Sequence, residues 1–133
     1  MIGLDTNVLV RYLIGDDVRQ AELARQLIEG QCLAANPARI ALIVLCELVW
    51  VLGGAYRYDR ELIVQALRQI LVTEGFEIEQ HSLAWTAWHD FARGTADYAD
   101  CLIARVNEAT GSSTTYTFDR KAARLAGFTL LDG

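Results

Sequence analysis

A chain of 133 residues with 53% hydrophobic residues and one proline has enough material for a single core, which excludes a disordered segment. Seventeen acidic against twelve basic residues leave a net charge of -5, and that argues against a nonspecific nucleic-acid clamp, a class that is usually basic. A pocket gathering carboxylates around two divalent ions would bring the formal total to about -1, so net charge alone leaves a metal-assisted phosphate chemistry open.

Met1 to Asp5 reads as a short buried strand that ends in a carboxylate, with Thr6-Asn7 capping a helix from Val8 to about Ile14. These first residues have neither a basic n-region nor a long apolar h-region, so a cytoplasmic protein is expected. Asp16-Asp17 caps a second helix, Val18 to Glu29, which Gly30 is expected to stop. Arg39 to Leu42 reads as a strand, followed by a helix to Leu52 that Gly53-Gly54 would end in a left-handed turn. Ile40 to Leu52 is the most apolar stretch and too short to cross a bilayer, which takes about 20 residues. Its one charge, Glu47, needs a cation or a polar partner, because an unpaired buried carboxylate is costly to ionise.

Asp59 caps a helix whose Leu62, Ile63, Ala66, Leu67, Ile70 and Leu71 share a face; Gly75 breaks it, and Phe76 to Glu79 alternates as a strand does. Ser82 is the expected cap of a helix carrying Trp85, Trp88 and Phe91, ended at Gly94. Asp97 opens a helix that runs to near Gly111, Thr114 to Thr117 is a strand, Arg120 to Ala126 a short basic helix, and Phe128 to Leu131 a last strand. Strands alternating with helices through short links imply an α/β fold, an α/β/α sandwich with a central parallel sheet, formed by residues 1–133 as one domain. Cys32, Cys46 and Cys101 lack C-x-x-C spacing and are expected as buried thiols.

Asp5 and Asp119 at strand ends, Glu47 in an apolar helix, and Asp100 with Asp97 three residues before it are the carboxylates whose context stands out. In an open parallel sheet, ligands bind beyond the carboxyl ends of the strands, where these residues fall. Such a cluster cannot persist as bare charges, and all-oxygen ligands suit Mg²⁺ or Mn²⁺ rather than zinc. One or two such ions can activate water and stabilise the leaving oxygen of an in-line phosphoryl displacement.

The segments L-D-T-N at Leu4 to Asn7, L-C-E-L-V-W-V-L around Glu47, A-D-Y-A-D-C-L-I-A from Ala96 and T-F-D-R-K-A-A-R from Thr117 resemble the acidic motifs of the PIN-domain ribonucleases, in particular VapC-type toxins. Four motifs in the right order over nearly the whole chain are fairly specific, although Gly53 to Gly94 adds little beyond its helical pattern. The resemblance implies that Asp5, Glu47, Asp100 and Asp119 form an acidic quartet with Asp97 as an accessory acid. Asn7 and Thr117 are then supporting polar groups, and Tyr98 and Cys101 stand where Phe and Ala are expected. It further implies a PIN-like fold, a metal-dependent endoribonuclease acting on a tRNA or ribosomal RNA loop, a homodimer, and a small antitoxin partner. Arg120, Lys121 and Arg124 would bind substrate phosphates or simply solvate a terminal helix.

Other readings of the same residues stand beside these. Asp5, Asp97, Asp100 and Asp119 all occupy positions that favour helix caps or the helix dipole. Glu47 could pair with Arg11. The aromatic stripe suits a core or dimer contact better than base stacking, and His81 and His89 suit surface or capping roles better than proton shuttling. A haloacid-dehalogenase-type phosphotransferase would want Asp at position 7, where Asn7 stands, and a receiver domain would want a Lys earlier than Lys121. A catalytically silent PIN-like module that binds RNA or a protein remains the alternative.

Overall fold

Among residues 1–132, which the computed structural model describes, helices and short parallel strands alternate. The order is α1 (Thr6–Leu13), α2 (Val18–Gln31), β1 (Ala38–Ile40), α3 (Leu42–Gly54), α4 (Arg60–Leu71), β2 (Phe76–Ile78), α5 (His81–Arg93), α6 (Tyr98–Ala109), β3 (Thr115–Thr117), a 3-10 turn (Ala122–Arg124) and β4 (Phe128–Leu130). The chain divides into two compact units, Met1–His81 and the residues from Ser82 onward. The class is α/β, as the alternation predicts, and both strand ladders are parallel.

In the first unit β1 pairs with β2, Arg39 lying opposite Glu77, and their side chains pin that register with an ion pair of 3.1 Å. The expected first strand is reduced to a stretch that docks on β1. Arg39 N–H donates to Ile2 O at 2.7 Å and Leu4 N–H to Arg39 O at 3.1 Å, so Asp5 still emerges at the carboxyl end of a parallel ladder. Asp5, not Thr6-Asn7, caps α1.

Helix α3 buries Val44, Leu45, Cys46, Leu48, Val49 and Leu52, and leaves Ile43, Glu47 and Trp50 exposed. Those three recur at i, i+4 and i+7, one narrow strip of a helix otherwise enclosed. The expected left-handed stop at Gly53-Gly54 is not there. Both glycines are helical, Gly53 lies where a Cβ would stand 3.4 Å from Ile63 Cδ1 of α4, and the left-handed residue is Arg57, with φ 54°. The helix runs through both glycines, and the chain turns beyond them. Gly30 likewise lies inside α2, which continues to Gln31.

In the second unit β3 pairs with β4. Helix α6 is tied to α5 by Arg105, whose Nε and Nη2 donate to Asp90 at 2.7 and 3.0 Å, and to β3 by Asn107 Nδ2, which donates to Thr115 Oγ1 at 2.9 Å. Tyr98 is fully buried, and its hydroxyl donates to Ala84 O at 2.9 Å, so the extra oxygen relative to Phe is satisfied. On α5 the buried face is Ala84, Ala87 and Phe91. Trp85 and Trp88 lie half-buried and stacked at 5.0 Å, with His89 edge-on to both, so the three aromatics expected on one face divide between core and surface. The helix begins at His81, not after Ser82, and the basic segment after Asp119 makes only the 3-10 turn. All three cysteines are buried free thiols. No helix among the described residues is long and apolar enough to cross a membrane.

Gly75 occupies a position no other residue fits. A Cβ there would lie 2.1 Å from the Cys32 carbonyl oxygen, while Gly75 O accepts from Ala38 N–H at 2.8 Å at the head of β1. Gly75→Ala is expected to cost about 1–3 kcal/mol, read as a lowered urea midpoint, whereas Gly15→Ala, with open space around it, changes stability by under about 0.5 kcal/mol.

Candidate active site

Five candidate acids fall into two clusters, one in each unit. In the first unit the turn from the strand-like N-terminal stretch into α1 presents Asp5, Thr6 and Asn7, and the second turn of α3 presents Glu47. Thr6 is the one buried polar residue of the described core, and its Oγ1 donates to Glu47 Oε1 at 2.7 Å. Asp5 Oδ1 accepts from Thr6 N–H at 2.7 Å. Thr6 therefore joins the two carboxylates, holding one oxygen of each and leaving Asp5 Oδ2 and Glu47 Oε2 without a hydrogen bond among the described residues. Helix α3 starts at Ala41, which offers no side-chain cap; Glu79, just past β2, supplies it by accepting from Leu42 N–H at 2.8 Å. That bond anchors the helix that carries Glu47.

The structure answers the sequence's question about Glu47 in an unexpected way. Its side chain is exposed, so the apolar run around it is helix core facing elsewhere, and its partner is a threonine hydroxyl. Arg11, the alternative partner, is instead bound to Asp16, Gln20 and Tyr56. Asp5, Thr6, Asn7, Glu47, Arg11 and Tyr56 contribute to the lining of one open cavity of about 350 Å³. Thr6 was missed as a site residue; its position between Asp5 and Asn7 was the available signal. Asn7 is exposed on the cavity wall, with no side-chain hydrogen bond among the described residues.

In the second unit Asp97 caps α6, Asp100 lies in its first turn, and Asp119 follows β3. Thr117 Oγ1 accepts from Asp119 N–H at 3.0 Å. Asp119 Oδ1 accepts from Lys121 and Ala122 N–H at 2.8 and 3.4 Å, so it does cap the 3-10 turn. Arg120, Lys121 and Arg124 are all exposed around that turn. Burial first, then the charges of Asp97 and Asp119, push the Asp100 carboxyl above the ordinary aspartate value of 3.8.

Capping geometry separates Asp5 from ordinary caps. Asp17 and Asp59 reach over their helix ends to the N–H three residues on, Gln20 and Leu62, at 2.9 Å. Asp5 accepts from the next residue, Thr6, at 2.7 Å, and Asp97 accepts from Tyr98 N–H at 2.9 Å. The Asp5 carboxylate thus does less for its helix end. The carboxylates of each cluster offer oxygen donors, which suit a hard divalent cation. Among the described residues no group of three His, Cys, Asp or Glu side chains is already arranged to hold a metal ion.

A PIN domain profile matches residues 2–128, a span that includes all five acids. The chain belongs to the PIN-domain family. It is similar to a VapC ribonuclease of Aquifex aeolicus (strain VF5), 26% identical over 122 residues, which covers 92% of this chain and 90% of that protein. The PIN match runs through both units and agrees with the α/β architecture and its parallel strands.

For a raised carboxyl, stability is fully present below the unfolded value and lost as pH rises through the folded one. In chelator at pH 7, Asp100→Asn is therefore expected to melt above the parent, by about 1–3 °C because solvent screens a partly exposed group, with the gap closing as pH falls toward 3.8. Thermal melts between pH 4 and 7 read it.

Proposed function

We propose that this chain is a metal-dependent endoribonuclease of the VapC type, residues 1–133 acting as one PIN-like nuclease domain and as the toxin of a toxin-antitoxin pair. The observation that carries this reading is the placement of Asp5, Glu47, Asp97, Asp100 and Asp119 at strand ends and early helix turns of a chain in the PIN family. The likeness to a VapC ribonuclease supports the substrate class.

In this reading Asp5, Glu47, Asp100 and Asp119 hold one or two Mg²⁺ or Mn²⁺ ions, directly or through water, with Asp97 assisting. Once bound, such a cation lowers the pKa of water and offsets charge on the phosphoryl oxygens. The protein's part is to fix the donors and to move protons. Thr6 keeps Glu47 and Asp5 from turning outward to solvent, and Thr117 sets the turn that aims Asp119. A carboxylate oxygen not engaged in a hydrogen bond accepts the proton of the water that attacks phosphorus. The P–O3′ bond breaks, leaving a 5′-phosphate and, after protonation, a 3′-hydroxyl. Arg120, Lys121 and Arg124 supply donors for neighbouring phosphates. The substrate is a structured RNA such as a tRNA or ribosomal RNA loop. The protein works as a cytoplasmic homodimer, held inactive by a small antitoxin that covers the acids.

Incubation of the partner-free protein with total cellular RNA tests this. Discrete fragments with 5′-phosphates are expected with Mg²⁺ or Mn²⁺, and none with EDTA or with Asp100→Asn. Metal binding to the parent without fragments would favour a silent binding module. Thr6→Val, which keeps the shape and removes the donor to Glu47, is expected to lower kcat about 10–100-fold with little loss of fold, measured by initial rates and circular dichroism.

A further inference from the structure

The cavity that holds Asp5 and Glu47 is walled on another side by a cation that the acidic motifs do not include. Arg11, at the end of α1, is clamped on two of its nitrogens: Nε donates to Gln20 Oε1 at 2.7 Å, and Nη1 to Asp16 Oδ1 at 3.1 Å and Tyr56 Oη at 3.0 Å. Tyr56 in turn donates to Asp16 Oδ2 at 3.0 Å, closing a ring of three side chains. Nη2 makes no hydrogen bond among the described residues, and the side chain remains 29% exposed. The guanidinium is thus immobilised with one edge still able to donate, on the wall of the same 350 Å³ cavity as Asp5 and Glu47.

A pocket of carboxylates repels a polyanion, so a nuclease needs fixed donors beside its acids. Asp16 neutralises Arg11, which leaves the field at Asp5 and Glu47 suited to cations while keeping the directed N–H groups that a phosphate oxygen accepts. A donor already held in one geometry loses little conformational entropy when a phosphate arrives. A tie between the end of α1 and the next loop would need only the Asp16 bond; Gln20 and Tyr56 add orientation.

We propose that Arg11 is a substrate-binding residue, its Nη2 edge taking a backbone phosphate of single-stranded RNA beside the scissile one, with Asp16, Gln20 and Tyr56 as positioning residues. This rests on the nuclease reading for the identity of the polyanion.

The test uses a fluorescein-labelled 20-nucleotide mixed-sequence RNA, bound in Mn²⁺ by full-length Asp100→Asn protein with and without changes at the ring, and cleavage kinetics of the same changes in the parent. Arg11→Gln is expected to weaken binding about tenfold at 0.1 M salt and to reduce the slope of log K against log salt by about 0.7, the value of one phosphate on a single strand. Arg11→Lys should recover the slope, and Tyr56→Phe, which keeps the charge but loosens the clamp, should raise KM several-fold with kcat and slope unchanged. An unchanged slope and KM in Arg11→Gln, with or without a lowered Tm, would overturn the proposal and make the ring a structural tie. If Arg11→Gln fails to fold, Arg11→Lys and Tyr56→Phe decide: parental KM in both overturns it. A parent that cuts RNA while the Arg11 slope holds would sink this inference alone. A parent that cuts neither this RNA nor any in total cellular RNA while the slope falls would sink the nuclease reading and leave the phosphate contact standing.

Discussion

Keeping carboxylates close together in a folded chain is the constraint on which this structure depends. Like charges within a few Å raise one another's pKa and push the backbone apart unless hydrogen bonds or cations intervene. In the first unit the remedy is local and covalently economical: Thr6 sits between Asp5 and the helix bearing Glu47, and its N–H and hydroxyl each hold one carboxylate oxygen. In the second unit the remedy is incomplete. Thr117 and the turn after β3 orient Asp119, but Asp100 remains above its ordinary range beside Asp97 and Asp119. Burial is the larger cause of that rise, and the two neighbouring charges add to it.

The scaffolding around these acids follows from that need for rigidity. Glu79 caps α3 from the end of β2, Arg39 and Glu77 pair across the strands beneath, and α3 runs two residues past its expected end at Leu52. In the second unit, the Arg105–Asp90 pair and the Asn107–Thr115 bond tether the helix that bears Asp100 at points well along its length. None of these groups is an acid of the candidate site. Each ties an element that carries one, and the bidentate, partly buried Arg105–Asp90 pair is worth more than the exposed Arg39–Glu77 pair.

Much of this was legible from the residues. The alternation of apolar periods gave the order of helices and strands, and Asp17, Asp59 and Asp97 marked helix starts because a short acceptor at that position satisfies a free N–H. Asp5, Asp97, Asp100 and Asp119 stood out for their places at strand ends or helix starts, and Glu47 as the one charge in an apolar helix. The burial of Cys46 and Cys101 followed from their place on the helix, about 100° from the acids beside them.

What the linear pattern could not supply is any quantity that depends on neighbours distant in the chain. Composition alone made Glu47 look buried; only the packing of α3 on most of its circumference shows that the remaining strip faces outward. Gly53 and Gly54 carry the same local preference for a turn in any context, yet α3 runs through both, since propensity amounts to about 1 kcal/mol and the packing of the rest of the helix to several. Thr6 was visible only as a spacer until a residue 41 positions away met its hydroxyl. Arg11 and Tyr56, 45 apart, belong to no motif. The sequence by itself determined the class of fold, the acids and their local settings, because these follow from periodicity and capping chemistry within a few residues. Tertiary structure decided which side each side chain faces and which partner holds it, because those depend on contacts between segments whose separation along the chain carries no local signal.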